Sequence, residues 1–189
     1  MAAVGGPGVG PQGKPPGKAG RREVAAALND LLAIEIVGVY GRLSEAKQGA
    51  VAAGPSIEAI GYRVGFQLAE RFSKDRPRFG GYLEAIKFIC KEFWSELFNK
   101  QVDNLKTNHK GVFVLQDNTF RWLRNVSAEA ADSAQPGSAA KDAHTLSDYM
   151  LLPCGLIRGG LACLGYTCSV SCDISTVPSC SFTIRMKVS

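Results

Sequence analysis

The stretch that most restricts the fold is LPCGLIRGGLACLGYTCSVSC, Leu152 to Cys172. It is apolar over most of its length yet carries Gly155, Gly159, Gly160 and Gly165. Glycine lacks the side chain that holds neighbouring elements apart, so an apolar helix with several glycines suits a close neighbour. Three chemical readings of the same residues fail. Gly155 and Gly160 have the spacing of a phosphate-binding loop, but that loop continues with Lys and then Ser or Thr, whereas Leu161 and Ala162 follow here. DYMLLP, just before, is also a poor strand. The cysteines Cys154, Cys163, Cys168, Cys172 and Cys180 include no C-x-x-C pair, so no metal site is expected. Pro153 and Arg158 interrupt the apolar run, which falls short of the ~18 uninterrupted residues that read as a membrane span. What remains is architectural: a helix over about 148–164 that packs tightly and leads into a strand, with Arg158 snorkelling outward or capping nearby carbonyls.

Hydrophobic periodicity organises the rest of the chain. From about 23 to 53 the spacing predicts a long helix, with Leu28, Leu32, Ile36, Val39 and Leu43 in one stripe and Leu31, Ile34, Val37 and Tyr40 in a second. A helix apolar on two sides must be covered on two sides, either by its own domain or by a partner. Gly54-Pro55 punctuates the chain, and a second helix over 56–73 places Ile57, Ile60, Val64, Leu68 and Phe72 in register. Gly61 and Gly65 lie one turn apart on it and would admit a close helix, although two glycines tolerated in a core helix is an equal reading. SKDRPRFGG is a turn. A third helix, about 82–99, has a core stripe of Leu83, Ile86, Ile89, Cys90, Phe93 and Leu97. The period then changes: VDNLKT, VFVL and TFRWL read as an antiparallel meander with NHKG as its first turn. YTCSVSCDIS and SCSFTIRMKV read as two further strands joined through TVPS, with Cys168 and Cys172 on one face. Helices, strands, a helix and more strands indicate an α+β fold, long N-terminal helices on a twisted antiparallel β-sheet. Residues 1–21 are expected to be a disordered Gly/Pro-rich tail, and 22–189 a single domain with a mobile loop at 127–147.

Charge and chemistry narrow the function. Of 22 basic residues, Lys14, Lys18, Arg21 and Arg22 lie in the first 22 positions, leaving 18 against 17 acidic residues in the body. So balanced a body offers no footprint for nucleic acid. With no secretory signal read at the start, the cysteines are expected to be reduced. Nucleophilic catalysis needs a base held beside a nucleophile, and the two histidines, His109 and His144, fall in a turn and in the expected loop. Cys90 reads as a packing residue. The sequence therefore predicts no enzyme, no catalytic residue, no cofactor and no metal, and its outstanding feature is surplus apolar helix surface.

GYRVGFQLAERF, IKFICKEFWSELFNKQVDNLKTNHKGVFVLQDNTFRWL and CGLIRGGLACLG resemble the small subunits of the transport protein particle (TRAPP) complex, with KFICKEFW and QVDNLKTNH closest to its subunit 6 branch. The resemblance runs from about Leu28 to the C-terminus, interrupted at 127–147. It implies helices packed on a twisted antiparallel sheet. It implies a non-catalytic subunit of a vesicle-tethering complex that exchanges guanine nucleotide on Rab GTPases, in ER-to-Golgi and Golgi transport. The chain would be cytoplasmic, peripheral on Golgi and ER membranes through the complex, and would touch the Rab only there. Dimerisation through the first two helices is implied too, foremost with sibling subunit 3 and otherwise as a homodimer, with Leu32, Ile36, Val39, Tyr40, Leu43, Ile60, Gly61, Val64 and Gly65 as partner-binding candidates. An apolar-ligand or lipid-binding module of related fold is the competing reading. One departure is plain: subunit 3 carries an acylated cysteine between its second and third helices, and Ser73 to Tyr82 here contains none, so acylation is not carried over.

Overall fold

The structure, a computed structural model, describes residues 18–46, 53–108, 110–124 and 146–187. The expected tail, apart from residues 18–21, and the loop at 127–147, apart from residues 146–147, lie outside the described residues, as do both histidines. Helix α1 spans Lys18–Ala46 and α2 Ala53–Ser73. Helix α3 starts as Tyr82–Phe88, passes through a π-helical turn at Ile89–Phe93 and ends as Trp94–Phe98. Helix α4 is Leu146–Cys163. The strands are β1 Asn104–Thr107, β2 Val112–Asp117, β3 Cys168–Thr176 and β4 Ser179–Met186.

The α+β order predicted from periodicity is the observed one. All four strands form one antiparallel sheet in the order β1-β2-β4-β3. Alternation sends Phe113, Leu115 and Asp117 of β2, and Cys180, Phe182 and Ile184 of β4, to the buried face. Helix α4 packs against β3 on one side and α2 on the other, and so is buried nearly all round, from Met150 to Leu161. Trp94, Phe98, Phe120, Trp122 and Phe182 make an aromatic cluster, with centroids 4.5 Å apart for Trp94–Phe98 and 5.4 Å for Trp94–Phe182.

Three local expectations are corrected. TFRWL is not a strand: β2 ends at Asp117, and residues 121–124 form a helical turn. The Asp117 carboxylate accepts the Thr119 N–H at 3.0 Å, and the Phe120 N–H reaches the Pro178 carbonyl at 3.0 Å, so the backbone turns away from the ladder. Leu83 is exposed rather than core, while Phe88, Trp94 and Phe98 are buried. Leu83 lies in the first turn of α3, before the π-turn, with its side chain in solvent. For Trp94 and Phe98 the π-turn explains the change, because one extra residue per turn rotates the face that follows it. Within that turn the Cys90 carbonyl accepts the Val102 N–H at 3.1 Å, tying the outgoing loop back to the helix. Arg158 neither snorkels freely nor caps a carbonyl; it lies 2.9 Å from Glu58 of α2 and 4.9 Å from the Tyr62 ring centroid.

Among the described residues the buried carboxylates are Asp30 and Asp117. Asp117 accepts the Trp94 indole N–H at 3.0 Å and the Lys100 ammonium at 2.7 Å, joining the end of β2 to α3. Asp103 accepts the Asn118 N–H, which holds its carboxyl below the usual range against a smaller opposing effect of burial, with Lys100 adding to the depression. Burial works against the charge of Lys100, but its bonds to Asp117 and Asp103 outweigh that and raise its pKa.

Candidate interaction face

The nine partner-binding candidates divide into three groups. Gly61 and Gly65 do not face outward. A Cβ on Gly61 would collide with the Leu152 carbonyl, and one on Gly65 with that of Leu156, both on α4. Gly155 and Gly159 answer from the other side, where a Cβ would strike the backbone carbonyls of Glu58 and Tyr62. Four glycines thus let the backbones of α2 and α4 touch within one chain, and this contact uses the glycine face of α2 completely.

A second group forms a groove. Leu32 and Ile36 of α1 face Ile60 and Val64 of α2 across a cleft of about 400 Å³ whose other walls include Trp122 and Leu156. The third group, Val39, Leu43 and Tyr40, belongs to α1 alone. Val39 and Leu43 are exposed, and Tyr40 is half-buried against the core.

Helix α1 is the unusual element. Its buried face is made of Asp30, Ala33 and Val37, residues that are small or charged. The opposite face, one residue every three or four, carries Leu28, Leu32, Val39 and Leu43, and these are 57%, 53%, 36% and 47% exposed. Leu31, on the flank, is exposed as well. The large apolar side chains point away from the body and the small ones toward it, the reverse of an ordinary amphipathic helix. The doubly apolar pattern of the sequence already signalled this surplus.

Two contributors were not singled out from the sequence. Asp30 is 5% exposed and accepts the Arg121 Nε–H at 2.5 Å and the Trp122 indole N–H at 3.0 Å, bonding α1 to the 121–124 turn. The signal was a lone carboxylate between Leu28 and Leu31 in an otherwise apolar stretch. Trp122 was read as a strand residue, which hid its place in the groove wall.

Burial pushes the Cys90 thiol up to about 12 and that of Cys168 up to about 11, far from a reactive thiolate. Cys154 is raised further by burial, and Cys180 by its bond to Cys172 and by burial. Among the described residues no group of three or more His, Cys, Asp or Glu side chains is arranged to hold a metal ion. No described helix is long and apolar enough to cross a membrane.

Comparison with known proteins supplies the context. The family model described as transport protein particle (TRAPP) component matches residues 29–187. Trafficking protein particle complex subunit 6B from Homo sapiens is 44% identical over 165 residues, covering 85% of this chain and 96% of its own. Subunit 6A from Mus musculus is 34% identical over 133 residues, 70% of this chain and 77% of its own. Among solved structures, subunit 3 from Naegleria fowleri, itself covalently bound to palmitic acid, superposes with a TM-score of 0.54 at 17% identity, over 86% of this chain and 96% of its own. That last likeness is one of fold.

Proposed function

The chain belongs to the transport protein particle (TRAPP) component family, and on that premise we propose that it is a non-catalytic structural subunit that docks a sibling subunit on α1 and the α1–α2 groove. The partner of this reading is subunit 3, in a heterodimer within the complex that tethers vesicles and exchanges nucleotide on Rab GTPases in ER-to-Golgi and Golgi transport. The site of action would be the cytoplasmic face of those membranes, reached through the complex.

The observation that carries the reading is the reversal on α1. Leaving Leu28, Leu32, Val39 and Leu43 in water sacrifices roughly 1.5–3 kcal/mol for each side chain that could be fully buried. A monomer gains nothing from that arrangement, whereas a partner covering the stripe and the groove recovers it. The test is co-purification with subunit 3 of wild type and of a Leu32→Asp/Ile36→Asp double variant. Each substitution sets a charge in a surface that would be desolvated on pairing, so binding should fall at least ~100-fold. Wild-type affinity in the double variant would place the partner elsewhere.

A second reading rests on the groove itself. Its volume of about 400 Å³ and mainly apolar walls would suit an apolar chain. Native mass spectrometry of the purified protein separates the two: a retained lipid favours this reading, and a bare chain favours docking.

A further inference from the structure

We infer that Asp30 is a positioning residue of the docking face: its bonds to Arg121 and Trp122 set the distance of α1 from α2 and so shape the groove that receives the partner. This rests on the docking reading above and adds the residue that prepares the surface for it.

The packing of α1 leaves few other means of fixing it. Its buried face offers Ala33 and Val37, which give little apolar area, and Gly38 and Gly41, which give none. A helix held by so narrow a strip can slide or roll at small cost, because among the described residues half-buried Tyr40 is the large side chain of α1 that packs against the core. The Asp30 carboxylate supplies the missing key. It spans a sequence separation of 91 to Arg121 and 92 to Trp122, and both its oxygens are engaged. Bonds to a buried carboxylate are directional and charge-assisted, so they fix the rotation of the helix as well as its distance.

The second link is Trp122. Its indole N–H bonds Asp30, its ring lies 5.3 Å from Phe98 and 5.8 Å from Phe120, and the same side chain lines the groove with Leu32, Ile36, Ile60 and Val64. The groove wall and the anchor of α1 are therefore one residue, rooted in the aromatic core. Without the carboxylate, the buried indole N–H loses its acceptor, and α1 loses its register against the wall. Arg121, only about a quarter exposed, loses its counter-charge as well. The partner would then have to order α1 as it binds, which lowers affinity without removing any contact.

The experiment compares Asp30→Asn with wild type in the full chain, using purified subunit 3 as the probe. Three quantities are read: partner dissociation constant, amide exchange of α1, and amide exchange of α3. The expected result is roughly tenfold weaker binding and faster exchange in α1, with α3 unchanged. A merely structural effect would accelerate α3 together with α1. Arg121→Gln added to Asp30→Asn should weaken binding little further, because the pair acts as a unit; additive losses would overturn the clamp. If Asp30→Asn binds at wild-type affinity while Leu32→Asp/Ile36→Asp does not, the clamp inference fails and the docking face stands. If neither variant weakens binding, the docking reading itself fails.

Discussion

Helices α1 and α4 are both long and rich in apolar residues, yet they stand in opposite relation to the rest of the chain. Helix α4 is enclosed, lying between α2 and the sheet, with Gly155 and Gly159 pressed on the α2 backbone. Helix α1 touches the body mainly through small residues, one carboxylate and half-buried Tyr40, and turns its leucines to solvent. Apolar composition therefore does not separate an enclosed face from an exposed one here. Side-chain size toward the body does: where backbones touch, no third surface can enter, and where large side chains are left outside, one can.

The largest effect should come from breaking the enclosed side. Gly159→Leu drives a side chain into the Tyr62 backbone, which has no rotamer to yield, and should cost about 3 kcal/mol or more in urea denaturation. Gly81→Ala, at a glycine whose added Cβ meets nothing within 4 Å, is the control and should stay within about 0.5 kcal/mol. Asp117→Ala strands the buried Trp94 indole N–H and takes one carboxylate from the Lys100 ammonium, which keeps Asp103 and Thr119, and should destabilise by about 2 kcal/mol in the same assay.

Helix α1 should behave in the opposite way. Leu32→Asp/Ile36→Asp, which should abolish pairing, should change the unfolding free energy of the isolated chain by about 1 kcal/mol or less, since Leu32 is already in water. A fall as large as that of Gly159→Leu would mean that this face is core, and would end the contrast.

Smaller effects sharpen the picture of the enclosed side. Cys90, raised to about 12 by burial, should resist alkylation at pH 8 until the protein unfolds, whereas half-buried Cys163 should react in the native state; mass mapping of a timed reaction decides this. The smallest effect is electrostatic. The folded pKa of Asp103 is depressed, so its contribution is present above its ordinary value of 3.8 and is lost as pH falls through the folded value. Asp103→Asn should therefore lower stability slightly at neutral pH, leave it unchanged below the folded value, and so flatten the acid limb of the stability profile.

Much of this was legible in the residues. Period 3.6 through the first three helices and period 2 in VFVL and SCSFTIRMKV give the α+β order, because each repeat reports which face of an element meets the core. Failure came where a short-range interaction overrode the pattern. Asp117 bonding Thr119 N–H turned TFRWL out of the sheet, and the π-turn re-phased the end of α3, burying Trp94 and Phe98.

The sequence by itself determined the class of fold, the two glycine-bearing helices and the surplus of apolar surface on α1. Its long, ordered resemblance to one family determined the family. Only the tertiary structure decided which surplus was spent internally. Periodicity records that a face is apolar, not what covers it, so Gly61 and Gly65 read equally as partner face or core until α4 was seen against them. The anchor of α1 was equally out of reach, because Asp30 and Arg121 stand 91 residues apart and no local spacing encodes a bond between them.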